Sequence, residues 1–332
     1  MNTDGTLILK RSEVAALLTL DDCIAAVEQA FKLYGEGKTA PPGMMGVHTG
    51  AGGFHLKAGL LAPAGRNFFA VKANANFMHN RERFGLPTIQ GIIALCDAEK
   101  GTPLALLDSM EITILRTGAA TAVAAKFLAN KGARVATICG CGNQGRVQLR
   151  ALLKVRSITR AYAFDVDAAL AERFAQQCSS ELGIEVKPAT DLKRVVSQSD
   201  ICVTCTPSRQ AYLKRDFVEP GTFISAVGAD SPEKHELDPA LFSGTKVVVD
   251  ILEQCITNGD LHHALAAGAT TRDAVHAELG EIVAGRKPGR TSPGEIIIFD
   301  STGTALQDVA AAITVYEKAV AAGAGLRVNL SD

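Results

Sequence analysis

Hydrophobic positions along this chain fall into two regimes. In the first, short apolar runs are separated by polar stretches. Leu7 to Leu9 reads as a strand. Ser12 is expected to cap a helix from Glu13 to Leu18. A second helix, about Leu20 to Tyr34, carries Ile24, Val27, Phe31 and Leu33 on its apolar side. Thr39 to Gly53 is rich in Gly and Pro and is expected to be loop. Strands follow at Phe54 to Ala58 and Phe68 to Asn74, then a polar loop from Asn76 to Pro87. Strands at Gln90 to Asp97 and Pro103 to Asp108 flank a turn at Glu99-Lys100-Gly101. Ser109 to Asn130 predicts one long, alanine-rich helix, its small residues suited to tight packing between domains or between subunits.

In the second regime strands and helices alternate. Strands are expected at Val135 to Cys139, Ala161 to Phe164, Ile184 to Lys187, Ile201 to Thr206, Thr222 to Gly228, Lys246 to Ile251 and Glu295 to Phe299. Asp167 caps a helix that runs to about Leu182, and a short helix follows Asp191. Alternation of this kind predicts a parallel sheet with helices on both faces. A last helix, about Thr304 to Ala322, returns the chain to its first domain.

One stretch organises the second regime. After the strand Val135 to Cys139 come Gly140, Gly142 and Gly145 in G-x-G-x-x-G spacing, with Asn143 and Gln144 opening the next helix. Gly140 allows the turn out of the strand, Gly142 lets backbone approach a pyrophosphate, and Gly145 lets the helix pack against the strand. Unpaired N–H groups and the helix dipole attract the phosphates. Asp165 ends the next strand, in place to accept hydrogen bonds from a ribose 2′- and 3′-hydroxyl and to repel a 2′-phosphate. NAD is therefore expected, while nearby Arg146 leaves NADP open. The expected fold class is α/β: a Rossmann-type parallel-sheet domain over residues 116–304, and an α+β domain built from residues 1–115 with 305–332.

Composition narrows the function classes. Hydrophobic residues make up 47% of the chain and charged residues 21%, which suits a water-soluble globular protein. Lys+Arg 34 against Asp+Glu 35 leaves no basic excess for nucleic acid. No uncharged apolar run reaches about 18 residues, so no transmembrane helix is expected, and the N-terminal MNTDGTLILKRSEV has no signal-peptide layout. Eight cysteines are scattered, five of them (96, 139, 141, 202 and 205) in apolar, strand-like runs. Reduced, buried thiols and a cytoplasmic location are the expectation. Neither Cys202-x-x-Cys205 nor His235, His262 and His263 has the spacing of a metal site with a further ligand, so no metal is expected.

Ligands of such parallel sheets bind beyond the carboxyl ends of the strands. That rule selects Thr206-Pro207-Ser208, Val227-Gly228-Ala229-Asp230 and Asp300-Ser301-Thr302-Gly303 for the nicotinamide end. Asp230 reads either as a helix cap or as a general acid/base whose pKa an apolar neighbour raises. Lys57, Lys72 and Arg116 are cations in otherwise apolar segments. Each needs a partner: an internal salt bridge, or a substrate carboxylate that Arg116 can grip in bidentate fashion.

FFAVKANAN, GLPTIQGIIALCDAEKGTPLALLDSMEITILRTGAATAVAAKFLA, GCGNQG, AVGADSPEKHELDP and FDSTGTALQD, taken in order, resemble the ornithine cyclodeaminase/mu-crystallin family over about Leu7 to Ala322. The resemblance implies a homodimer whose subunits join a substrate and dimerisation domain to the Rossmann domain. It implies Lys72, Thr88 and Arg116 around the substrate carboxylate and amine, Asp230 as catalytic acid/base, and Thr206, Val227 and Ser301 near the nicotinamide. Two departures stand out. Pro41 to His48 contains no arginine where ornithine cyclodeaminases carry one for the carboxylate, and a glutamate of the next strand is replaced near His55. Lys57 offers the missing positive charge. The expected activity is NAD(H)-dependent redox chemistry at the C–N bond of an α-amino or α-imino acid, by a ketimine reductase or an alanine dehydrogenase-like enzyme. Alternatives are ornithine cyclodeamination with catalytic NAD, and a crystallin-like protein that binds nucleotide without turnover.

Overall fold

A computed structural model describes residues 5–330. In chain order the elements are β1 (Thr6–Leu9), α1 (Arg11–Leu17), α2 (Leu20–Gly35), β2 (Gly43–Thr49), β3 (Gly52–Leu61), β4 (Phe68–Asn76), α3 (Asn80–Phe84), β5 (Ile89–Asp97), β6 (Pro103–Asp108) and α4 (Met110–Leu128). There follow β7 (Val135–Cys139), α5 (Asn143–Val155), β8 (Arg160–Phe164), α6 (Ala168–Leu182), β9 (Glu185–Ala189), α7 (Leu192–Val196), β10 (Ile201–Thr204), β11 (Phe223–Ala226) and β12 (Lys246–Val249). The chain ends with α8 (Leu252–Asn258), α9 (Asp260–Ala266), β13 (Ala277–Glu278), α10 (Leu279–Val283), β14 (Ile297–Asp300), α11 (Ala305–Ala322) and β15 (Leu326–Val328). Two units result, Met1–Arg116 with Thr304–Asp332, and Thr117–Gly303.

The first unit is a seven-stranded mixed sheet in the order β15-β1-β6-β5-β4-β3-β2. Alternation along β3, β4 and β5 turns Leu61, Phe68, Ala70, Ile93 and Leu95 inward, toward α11, which packs in turn on α2. Val27 and Phe31 of α2 and Val309 and Ile313 of α11 complete that core, each large side chain contributing about 1.5–3 kcal/mol by leaving water. Met45, Val47, Phe54, Leu60 and Ile92 are left exposed on the sheet.

Three local expectations for this unit are corrected. The Gly/Pro-rich stretch holds a seven-residue strand, β2, paired antiparallel to β3 from Gly43↔Ala58 to Thr49↔Gly52. Its glycines hide the alternation, and pairing with β3 supplies the order that composition does not. Ser12 lies inside α1: the N-cap is Lys10, whose N–H is satisfied at 3.0 Å by the Glu13 carboxylate. The polar stretch after β4 contains α3, ended by Gly85 at φ 67°.

The second unit is an all-parallel sheet, β13-β12-β14-β11-β10-β7-β8-β9. The chain runs from β7 outward through β8 and β9, then resumes on the other side of β7 at β10. The C-terminal ends of β7 and β10 are thus the topological switch point. β10 and β11 stop at Thr204 and Ala226, two residues short of the expected strand ends. The Thr206 N–H is committed to the Glu236 carboxylate instead of the ladder. The alanines of α4 pack within this unit. A Cβ on Gly118 would lie 2.9 Å from Val147 of α5, and Thr121 hydrogen-bonds Ser225 of β11 at 2.8 Å.

The C-terminal end of α4 leaves unpaired carbonyls, and Arg156 takes them: its guanidinium donates to the carbonyls of Ala125, Lys126, Ala129 and Asn130. Arg156→Ala is expected to lower unfolding stability by about 1–3 kcal/mol, the cost of leaving such groups unsatisfied, read as an earlier urea midpoint. An unchanged midpoint would mean that water serves those carbonyls equally well.

Candidate active site

In the first unit β3 and β4 run antiparallel with Lys57 and Lys72 as Cα partners. Their side chains therefore leave the same face of the sheet, the face that α11 covers. Both lysines are buried, as is Arg116 of α4. The counter-charge comes from the first turn of α11, where the helix dipole favours an acid. Asp308 sits 2.8 Å from Lys72 Nζ through each of its oxygens. Arg116 Nε lies 3.0 Å from Asp308 Oδ1 without a directed hydrogen bond, and Arg116 Nη1 donates to Gln307 Oε1 at 2.8 Å.

Burial would raise the Asp308 carboxyl, but the charges of Lys72, Arg116 and Lys57 outweigh it and hold the group below its usual value. Lys72 moves the other way. Burial, reinforced by Arg116 and Lys57 and opposed by Asp308, brings its ammonium down to about 7. One carboxylate thus serves cations on three elements. The buried Nε of Arg116, beside Asp308, and Nε2 of Gln307 make no directed hydrogen bond.

The other expected residues of this unit are less deeply set. His55, half-buried, lies two positions along β3 from Lys57, its ring edge-on to His48 with centroids 6.0 Å apart. Thr88 precedes β5, half-buried, and its carbonyl accepts from Phe77 N at 2.9 Å.

In the second unit the glycine loop leaves β7 at the switch point. Gly140 has φ 104°, and a Cβ there would meet Cys205 O at 2.9 Å. A Cβ on Gly145 would come within 2.1 Å of Gly140 O, whereas one on Gly142 meets nothing within 4 Å. The loop is thus tight where helix and strand touch and open where a phosphate would approach. No side chain caps α5, so the N–H groups around Asn143 and Gln144 face no built-in acceptor. Asp165 ties the loop to the tip of β8, accepting from Cys141 N at 2.8 Å and from Asp167 N at 3.0 Å. The Arg146 guanidinium is engaged on α6 by Glu181 and Gln177. The residues present fit a dinucleotide and favour an unphosphorylated ribose.

Thr206, Pro207 and Ser208 follow β10, Val227 and Gly228 follow β11, and Ser301 follows β14. Ser301 Oγ donates to Asp250 Oδ2 at 2.8 Å. Asp230 is exposed, with its carboxylate 2.6 Å from Lys234 Nζ. His235 and His263 stack at 3.9 Å between ring centroids, and burial lowers the His235 pKa. All eight cysteines are free. Among the described residues no group of three or more His, Cys, Asp or Glu is placed to hold a metal ion, and no helix is long and apolar enough to cross a membrane.

A sequence model of the ornithine cyclodeaminase/mu-crystallin family matches residues 5–323. The chain belongs to that family. It is 40% identical to the alanine dehydrogenase of Archaeoglobus fulgidus over 326 residues, 98% of each chain. An archaeal alanine dehydrogenase dimer with bound NAD superimposes with a TM-score of 0.93 at 39% identity, over 98% of this chain and 99% of that one. The Thermococcus litoralis Δ1-pyrroline-2-carboxylate reductase, solved with NADH and L-proline, does so with a TM-score of 0.91 at 35% identity, over 97% and 100%.

Sequence reasoning missed four chemically important acids of this family member. Asp308 was visible in FDSTGTALQD, four positions after the helix-capping Thr304. Glu236 stood in SPEKHELDP. Asp250 and Asp260 had no local signal. One tight and one open glycine of the loop separate stability from binding. Gly145→Ala is expected to lower the melting temperature, because the new methyl overlaps backbone, at roughly 1–3 kcal/mol. Gly142→Ala should leave melting unchanged and weaken NADH binding, followed by fluorescence titration. Equal melting losses in both variants would sink this division of labour.

Proposed function

We propose that this protein is an NAD(H)-dependent oxidoreductase acting on the C–N bond at the α-carbon of an amino acid or its imine. The observation that carries the reading is the buried set of Lys57, Lys72 and Arg116 around a single acid, Asp308. Buried cations of this kind suit a substrate carboxylate, with the Arg116 fork giving direction and Lys72 giving charge. Thr88 and His55 take the remaining polar groups of the substrate. Gly140, Gly142, Asn143, Gln144 and Gly145 hold the pyrophosphate and Asp165 the ribose, while Thr206, Pro207, Ser208, Val227, Gly228 and Ser301 line the nicotinamide end. The bound cofactor supplies or accepts the hydride. Asp230 handles the proton on the substrate nitrogen, and its exposure beside Lys234 keeps it in exchange with solvent.

Lys57 bears on the substrate side chain. A second ammonium-bearing side chain on the same face as Lys72 disfavours a diamine such as ornithine and favours imine reduction over cyclodeamination. The names of the relatives support this reading, since an alanine dehydrogenase and a pyrroline-2-carboxylate reductase are among them. The functional unit is a homodimer. The exposed apolar side chains Met45, Val47, Phe54 and Ile92 stand on β2, β3 and β5 of one sheet and suit burial against a second copy, and the archaeal alanine dehydrogenase is a dimer.

The test is NADH and NADPH oxidation against Δ1-pyrroline-2-carboxylate, Δ1-piperideine-2-carboxylate and pyruvate with ammonia, alongside L-ornithine with NAD. Rapid NADH oxidation without proline from ornithine is the expected result; proline and ammonia from ornithine would replace it with the cyclodeaminase. Lys72 adds a pH signature. With its pKa near 7, the charged form that holds a carboxylate is present below that pH and lost above it. kcat/KM, which reports the free enzyme, should fall above about pH 7 by up to roughly tenfold per unit. Lys72→Arg should move that limb out of range, and a flat profile from pH 6 to 9 would remove Lys72 from carboxylate binding. Asp230→Asn should abolish turnover while NADH still binds; a variant that retains more than about a tenth of the wild-type rate would overturn its proton-transfer role.

A further inference from the structure

Glu236 belongs to none of the roles above. It is wholly buried, and the four hydrogen bonds its carboxylate makes here are all accepted. Oε1 receives Thr206 N at 2.7 Å, Thr206 Oγ1 at 2.6 Å and Tyr212 OH at 2.9 Å, and Oε2 receives Gly228 N at 3.0 Å. Thr206 follows β10 and Gly228 follows β11, so one side chain joins the ends of two neighbouring strands. The fit is close. A Cβ on Gly228 would stand 2.4 Å from Glu236 Oε2 and 2.5 Å from Thr206 O.

Glu236 is itself held from a third strand. Its N–H and that of Leu237 donate to Asp260 Oδ1 at 2.8 and 2.9 Å. Asp260 N and Leu261 N, at the start of α9, donate in turn to the carboxylate of Asp300, the last residue of β14. Burial raises the Glu236 carboxyl against the pull of its Thr206 and Tyr212 donors. A backbone N–H on each of its oxygens calls for an acceptor-only carboxylate.

We propose that Glu236 is a positioning residue for hydride transfer, its carboxylate fixing the Thr206 and Gly228 loops and through them the seat of the nicotinamide ring. This rests on the dinucleotide reading above. In Glu236→Gln the amide places an N–H₂ where either Gly228 N–H or the Thr206 and Tyr212 donors need an acceptor, so one loop loses its anchor while side-chain volume is kept. The glycine loop and Asp165, which would hold the rest of the dinucleotide, make none of these contacts.

That asymmetry sets the test. NADH and ADP-ribose, which lacks the nicotinamide, are titrated into wild-type and E236Q protein, and kcat and KM are measured with the best imine of the panel. In E236Q, NADH affinity and kcat should each fall by roughly tenfold, the scale of one charge-assisted hydrogen bond, with ADP-ribose affinity unchanged. Equal weakening of NADH and ADP-ribose would assign Glu236 a general structural role and overturn the proposal, as would an E236Q protein identical to wild type. Wild-type protein that binds neither ligand would overturn the dinucleotide reading and this proposal with it. Should E236Q not fold, Tyr212→Phe, which removes one donor from the same carboxylate, carries the same comparison with a smaller expected effect, and an unchanged NADH to ADP-ribose affinity ratio there would overturn it.

Discussion

Asp308 reaches Lys72 from 236 positions further along the chain. A lone ammonium or guanidinium in a protein interior is costly, and removing one partner of a buried pair costs about 3–5 kcal/mol because the other charge is stranded. Asp308 prevents that for Lys72 and Arg116 together. It thereby pins the first turn of α11 against the sheet at the point where the helix covers β3 and β4. Burial of Val309, Ile313 and their neighbours along the helix supplies the bulk of the attraction; the ion pairs set the register. The same arrangement gathers three cations around one carboxylate, an excess of positive charge inside the unit.

The parallel-sheet unit solves a similar problem in the opposite sense. Glu236, Asp250, Asp260 and Asp300 are all wholly buried, and the bonds that hold them come from backbone N–H groups, hydroxyls and, at Asp250, the Cys255 thiol. Asp250 Oδ2, for example, takes Ser301 Oγ at 2.8 Å and Gly303 N at 2.7 Å. Burial lifts Asp260 well above the usual carboxylate range and Asp300 to about 7, with neighbouring acids adding to both. Acids satisfied by backbone freeze the loops they touch. Shared cations in one unit leave positive charge in excess, whereas carboxylates in the other use up donors to make a rigid rim.

Much of this was legible in the sequence because it is local. The G-x-G-x-x-G spacing, the strand before it, the helix after it and Asp165 all lie within about thirty residues, and each is dictated by what a pyrophosphate turn requires. The alternation of strands and helices after Val135 announced a parallel sheet. Lys57, Lys72 and Arg116 were conspicuous as cations in apolar runs. Less legible was β2, where Gly43 and Gly46 dilute the alternation and an edge strand is defined by its partner. The alanine face of α4 was recognised as a packing surface without its target, since small residues report closeness and not identity.

The sequence by itself therefore determined most strands of the parallel sheet, the long helices, the dinucleotide loop and the residue types available for chemistry, because turn, helix and strand preferences act over a few residues. Tertiary structure alone decided which charges meet. That Asp308 answers Lys72 and Arg116, that Glu236 spans the ends of β10 and β11, and that Asp230 faces water beside Lys234 all depend on contacts across the fold. The physical reason is that a charge is indifferent to where in the chain its partner lies and sensitive to burial and distance, and both of these exist only once the chain has folded.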